Sequence, residues 1–188
     1  MNQHFIFNCM NTIQSCIVSK EYNTSIIYLS KFSKLLRSVL ENAENNFIPL
    51  CDEISVNTIY IELEFLRFKE EIDYSFLVDY EIEDDIILFP TLLLQPFIEN
   101  AIWHGLMNKI GNKKLFVKFY IEDNRLICII EDNGIGRIKA MEIKKNKIDS
   151  AKNESKGMDI CYHRINLLNQ TNSDNYHLKI TDLYDNNN

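Results

Sequence analysis

Apolar residues at Ile6, Met10, Ile13 and Ile17 recur at spacings of four, three and four, which puts them on one face of a helix. A polar break near Glu21-Tyr22-Asn23 interrupts the pattern. It resumes through Leu29, Phe32, Leu36, Val39 and Leu40 and ends in the polar stretch Asn42–Asn46. Pro49 precedes a second pattern, Ile54, Thr58, Ile61, Phe65, Phe68 and Ile72, a heptad-like seam of the kind that pairs helices in a bundle. Ile59, Leu63 and Leu66 form another stripe beside it. A helix with two apolar stripes needs more than one neighbour. Dimerisation into a four-helix bundle meets that need, and so does packing against the following domain.

The periodicity changes near Tyr74. Phe76, Val78 and Tyr80 alternate with Ser75, Leu77 and Asp79, which predicts a strand. Pro90 is expected to open a helix reaching about Met107, with Leu94, Ile98 and Ala101 inward and Pro96 distorting its first turns. Leu115–Ile121 and Leu126–Glu131 read as two strands joined at Asp123-Asn124, a hairpin signal. Residues 137–156 are Lys-rich and aperiodic, and predict a long mobile loop. A helix then starts at Gly157 with Met158, Cys161, Ile165 and Leu168 on one face. Tyr176–Asp182 predicts a last strand, and Asp185–Asn188 a disordered tail. The boundary between a helical module and a mixed module falls near residue 73.

Composition narrows the classes. The chain has 188 residues, 46% of them hydrophobic, enough for a helical module plus a compact domain. Its net charge of −7 disfavours non-specific nucleic-acid binding, and no nucleic-acid partner is expected. The five cysteines show no C-x-x-C spacing and read as small buried hydrophobes. The four histidines show no zinc-ligand spacing. No apolar run approaches the roughly 20 residues that span a bilayer.

Three stretches carry candidate chemistry. Asp132-Asn133-Gly134-Ile135-Gly136 follows an apolar strand. A carboxylate there can accept from an exocyclic amine, while glycines let the backbone turn sharply against a flat ligand. Taken alone, the stretch is a common turn. Asn100 offers a hard oxygen suited to Mg²⁺, and it shares a helix face with His104 at i, i+4, as Glu99 does with Trp103. Gly157, preceded by Ser155 and Lys156, supplies free N–H groups at a helix start, which suits phosphate.

These elements, in this order, resemble the ATP-binding domain shared by histidine kinases, DNA gyrase, Hsp90 and MutL. The run Leu92-Leu93-Leu94-Gln95-Pro96-Phe97-Ile98-Glu99-Asn100-Ala101-Ile102-Trp103-His104-Gly105 resembles the L-Q-P-[LF]-[VI]-E-N-A-[IV]-x-H-G block of LytS/YehU-type sensor histidine kinases. The start, N-Q-H-F-I-F-N-C-M-N-T-I, is similar to their phosphoacceptor block. Ile61–Phe68 and Gly157–Leu167 resemble two further helices of that family.

The resemblance implies an α+β protein. Residues 1–73 would form a helical hairpin that dimerises as a four-helix bundle and carries the phosphoacceptor. Residues 74–188 would form an α/β sandwich ATP-binding domain, its mixed sheet covered on one face by helices and its C-terminal strand truncated. By the same resemblance His4 is the phosphoacceptor and Asp132 the adenine reader. Asn100 is the Mg²⁺ ligand, with Glu99 as a second candidate. His104, Gly134, Gly136, Lys156 and Gly157 complete the ATP site. Asn8, one turn beyond His4, is a candidate for orienting the imidazole. ATP and Mg²⁺ are the expected cofactors, and a response-regulator receiver domain and a second copy of the chain the expected partners. His4 lies so near the start that further chain is expected upstream, including membrane segments that would anchor a cytoplasmic portion.

Three departures accompany the resemblance. Gln3 stands where the family has Pro, Asp159 where it often has a second lid glycine, and no G-T-x-[VI] segment follows Leu183. The last two support a rival expectation, a degenerate dimerising regulatory module of the same fold with little or no ATP binding.

Overall fold

The computed structural model describes residues 3–68, 72–146, 156–171 and 176–183. The chain is α+β, with six helices and a mixed sheet among those residues. It divides into two compact units. The first comprises Met1–Ile72, Val78–Leu92 and Phe119–Ile127, and the second Asp73–Leu77, Leu93–Lys118 and Cys128–Asn188.

The first unit begins with three helices, α1 (Gln3–Val18), α2 (Tyr22–Asn42) and α3 (Leu50–Phe68). The break between α1 and α2 is a helix stop with a clear physical signature. Lys20 sits at φ 62°, its N–H reaches Ile17 O at 3.0 Å, and the Glu21 N–H reaches Cys16 O at 2.8 Å. That is a Schellman ending with Lys in the place usually held by Gly. The buried face of α1 is Phe5, Cys9, Ile13 and Cys16. It shares only Ile13 with the face read from periodicity; Met10 and Ile17 are exposed. Phe5 packs on Tyr60 of α3, ring centroids 4.9 Å apart, and the Tyr28 hydroxyl of α2 donates to Cys9 Sγ at 3.5 Å. Aromatic and thiol groups filled the seam that aliphatic spacing alone assigned elsewhere. On α2, Leu29 and Leu40 are exposed while Tyr28, Phe32 and Leu35 are buried. The α3 helix is buried on more than one side, through Val56, Ile59, Tyr60, Ile61 and Leu63, and it packs on both α1 and α2.

Two short strands escape the sequence pattern, because three residues are too few for an alternation to show. β1 (Phe47–Pro49) and β3 (Leu88–Pro90) pair antiparallel, Ile48 opposite Phe89. Each ends in Pro, which removes a ladder donor and stops the pairing. Pro90 therefore closes a strand, where a helix start was expected.

The larger sheet has the order β2-β4-β5, with β2 Asp73–Val78, β4 Lys114–Glu122 and β5 Arg125–Asp132. Backbone bonds from Asp73 N to Lys113 O and from Asp79 N to Phe119 O advance in the same direction, so β2 runs parallel to β4. β4 and β5 form a hairpin across Asp123-Asn124, both at positive φ as a type I′ turn requires. β2 starts and ends earlier than the alternation suggested, and Tyr80 is exposed.

α4 (Gln95–Asn100) starts five residues later than expected. Pro96 then falls in the first turn, where its missing N–H has no bond to break, so it initiates the helix. The helix continues as a π-helical turn, Ala101–Leu106. Residues 137–146, expected as loop, belong to α5 (Gly136–Asn146), and 147–155 lie outside the described residues. α6 (Lys156–Thr171) buries Cys161 and Ile165, with Met158 and Leu168 half-buried beside them. Residues 176–183 carry no strand, and the expected tail 185–188 lies outside the described residues.

Candidate functional site

His4 is exposed on the first turn of α1. The Asn8 amide nitrogen stands 3.0 Å from His4 Nδ1, as the i, i+4 spacing of a helix allows. A cleft of about 910 Å³ in the same unit is lined by Asn8, Thr12, Ser15, Lys31, Glu62 and Arg67 among others. Lys31 and Glu62 form an ion pair at 2.7 Å within it. Cys9, on the buried side of the helix, has its thiol pushed up to about 11 by burial, so it stays neutral and packs as a hydrophobe.

The second group of candidates lies in the second unit. Asp132 ends β5, and its Oδ1 accepts the Gly134 N–H at 2.8 Å. Burial raises its carboxyl above the ordinary value, against the Gly134 N–H, which lowers it. The turn then presses on the π-helical segment. The Ile135 N–H donates to Gly105 O at 3.2 Å. A Cβ at Gly105 would overlap the Asp132 carboxylate, and one at Gly134 would overlap the Gly105 backbone. Two backbones meet here with no room for a side chain on either. Gly136, at φ 76°, turns the chain into α5, which packs on the same π-helical segment.

Asn100 is half-buried at the end of α4, and Glu99 beside it accepts from Gln95 Nε2 at 2.9 Å. Burial raises the Glu99 carboxyl, with the Gln95 bond opposing. His104 is exposed on the π-helical turn. The Met107 N–H bonds Ile102 O, five residues back, so Asn100 and His104 flank a widened turn and not a regular α face. α6 packs against α4, and a Cβ at Gly157 would stand 3.5 Å from Pro96 Cβ, ordinary contact. The helix start at Gly157 is thus brought to the helix start at Pro96. The side chain of Lys156 and all of Ser155 lie outside the described residues.

The structure therefore groups Asp132, Gly134 and Gly136 against the π-helical turn that carries His104 and follows Asn100. It places Gly157 near the N-terminal end of α4. His4 and Asn8 form a separate pair in the first unit. The close approach at Gly105 went unread in the sequence. A glycine inside a helix is costly unless another backbone needs the space, and that is the signal Gly105 carries. Among the described residues no group of three or more His, Cys, Asp or Glu could cage a metal. A site built on Asn100 would suit Mg²⁺, which keeps waters and phosphate oxygens as most of its ligands. No described helix is long and apolar enough to cross a membrane.

Comparison with known proteins identifies the family. Residues 1–72 match the family model described as histidine kinase. The chain is similar to the sensor protein LytS of Oceanobacillus iheyensis, 32% identical over 88% of this chain and 28% of that protein. It is 31% identical to the sensor histidine kinase BtsS of Escherichia coli K12, over 71% of this chain and 23% of that protein. It is 30% identical to the sensor histidine kinase YpdA of the same strain, over 89% of this chain and 29% of that protein. The chain spans less than a third of each.

Proposed function

The chain belongs to the LytS-type sensor histidine kinases, and we propose that it is the part that phosphorylates itself on His4 from ATP and passes the phosphoryl group to a receiver-domain aspartate. The observation that carries this reading is the exposed His4 imidazole with Asn8 at its Nδ1. A neutral imidazole has one N–H and one lone pair. Either face of the Asn8 amide can meet Nδ1, since the two orientations are equivalent in shape. With the amide oxygen accepting Nδ1–H, the lone pair stands on Nε2. Nε2 attacks the γ-phosphorus, an N–P bond forms, the bond to the β,γ-bridging oxygen breaks, and ADP leaves. The ring sheds its extra charge by releasing the Nδ1 proton to water.

In this reading residues 1–73 are the phosphoacceptor and dimerisation helices and 74–188 the ATP-binding domain of the gyrase and Hsp90 type. Asp132 reads the adenine amine. Gly134 and Gly136 shape the pocket, while His104, Lys156 and Gly157 serve the phosphates. Asn100, with Glu99 as second candidate, holds Mg²⁺, which neutralises phosphate charge when bound. Exposed Phe7, Met10 and Ile17 on α1 and Ile26 on α2 supply an apolar surface for a second copy. Upstream segments of the whole protein would provide the membrane anchor.

Incubation with γ-labelled ATP and Mg²⁺, for the wild type and His4→Gln, tests the reading. Acid-labile label on the wild type alone is expected. Equal label on the variant moves the acceptor elsewhere. No label and no nucleotide binding would favour a dimerising regulatory module.

A further inference from the structure

Asn133, the middle residue of the D-N-G turn, spends every polar group it has on one neighbouring segment. Its side-chain oxygen accepts the Lys114 N–H at 2.8 Å, and its own N–H donates to Lys114 O at 3.2 Å. The side-chain amide donates to Asn112 O at 3.2 Å. Its carbonyl accepts Lys109 Nζ at 2.6 Å. The side chain thus pairs with Lys114 as a strand neighbour would, one residue beyond the end of β5.

On the other side, Gly134 and Ile135 are fixed against Gly105. The turn is therefore held from two directions. The Asp132 carboxylate lies between them, with Gly134 N–H on its Oδ1. Releasing the Asn133 side would let the turn pivot about the Gly105 contact and carry Asp132 with it.

We infer that Asn133 is a positioning residue for nucleobase selection, which fixes the carboxylate of Asp132 by clamping the turn onto residues 109–114. The inference rests on the reading of Asp132 as the adenine contact. Its own claim is narrower, namely that selectivity at the base is set by a side chain that bonds only protein backbone. Each of its bonds is exposed and individually modest, so their joint effect is on geometry more than on stability.

The test compares ATP with inosine triphosphate, which carries a carbonyl in place of the adenine amine. Affinities are measured on this chain for the wild type, Asn133→Ala and Asn133→Asp. The aspartate keeps an acceptor for Lys114 N–H, loses the donor to Asn112 and sets a carboxylate against that carbonyl, so it remains useful if the alanine variant folds poorly. The wild type is expected to prefer ATP about tenfold or more, as sites built around a hydrogen bond do. Both variants are expected to bring the ratio severalfold closer to one. A purely structural role weakens both ligands equally, so an unchanged ratio overturns the inference. A wild type without preference overturns the Asp132 reading, and the inference with it. Amide hydrogen exchange supplies a ligand-free readout. Lys114 and Gly134 N–H should exchange faster in Asn133→Ala, and unchanged protection there also overturns the clamp.

Discussion

The Glu53 carboxylate, fully buried on the first turn of α3, accepts the backbone N–H of Leu92 at 2.7 Å. Leu92 lies at φ 55°, a left-handed conformation that costs a side-chain-bearing residue about 1–2 kcal/mol. The buried hydrogen bond to the Glu53 side chain offsets part of that cost. Thr91 is tied beside it, through its N–H to Asn46 O at 3.1 Å and its hydroxyl to Asn45 O at 2.7 Å. The other Glu53 oxygen accepts from Asn57 Nδ2 at 3.3 Å. The turn after β3 is thus shaped by residues some 40 positions earlier in the chain.

Glu53→Ala removes the acceptor for Leu92 and for Asn57 and opens a small cavity. The expected loss is about 2–4 kcal/mol, read from urea unfolding. Glu53→Gln keeps an oxygen for Leu92 N–H and should lose less. Equal midpoints for the alanine variant and the wild type would show that Leu92 is held by other means.

That turn also shows where sequence reading stops. Pro90 looked like a helix start because proline favours that place, yet it ends β3. What decides is Leu92 at positive φ, stabilised by Glu53, a long-range bond that no local window contains. The long helices and the Asp123-Asn124 hairpin were legible because periodicity and turn chemistry are local. The face of α1 was misread because Cys9 and Phe5 outcompeted Met10 and Ile17 for the interior. At the candidate nucleotide site the residue types were legible. The contact of Gly105 with Gly134 was not, since it depends on two backbones meeting 29 positions apart.

Asn8→Ala should slow autophosphorylation while leaving ATP affinity unchanged. The imidazole would lose the Asn8 contact at 3.0 Å and sample more rotamers, so fewer orientations would suit attack. A loss on the order of tenfold is expected, within the range that misorientation produces. Initial rates of acid-labile labelling, alongside a binding isotherm, separate the two effects. A rate equal to the wild type would remove Asn8 from the mechanism.

Gly105→Ala places a Cβ inside the space of the Asp132 carboxylate. The carboxylate or the turn must move, at a cost of about 1–3 kcal/mol typical of overpacking. ATP binding should weaken more than stability explains, because the group that moves is the one proposed to read the base. Gly157→Ala is the control for melting, since among the described residues its Cβ meets only Pro96 Cβ, at 3.5 Å. If Gly105→Ala melts and binds as the wild type does, the close approach is not a constraint.

Asp132 has its carboxyl raised above the ordinary 3.8, first by burial. The sign follows from linkage. A carboxyl raised on folding makes the folded state the better proton binder, so its unfavourable term is present above the folded value and relieved as pH falls through it. In the proposed site the ionised carboxylate accepts from the adenine amine more strongly than the protonated acid does, so ATP affinity should move the other way and fall over the same window. A titration from pH 7 downward is expected to show weakening that begins above the usual aspartate range. Asp132→Asn should bind weakly and show no such pH dependence. Wild-type affinity that stays level until the usual aspartate range would separate adenine binding from Asp132 ionisation.

Lys20 ends α1 in the left-handed position, φ 62°, with the Schellman bonds of Lys20 N–H to Ile17 O and Glu21 N–H to Cys16 O in place. The geometry is the one glycine adopts without penalty, and a lysine there pays for its Cβ. Lys20→Gly removes that strain in the folded state, but the glycine also adds freedom to the unfolded chain, and the two effects oppose one another. The left-handed penalty of about 1–2 kcal/mol exceeds the added entropy of about 0.5–1 kcal/mol, so a net gain of about 0.5–1 kcal/mol is expected. Lys20→Ala keeps the Cβ and the strain, and should gain nothing. Paired melting curves decide it. If glycine and alanine shift the midpoint alike, the effect comes from the lost charge, and the left-handed position is not what limits this junction.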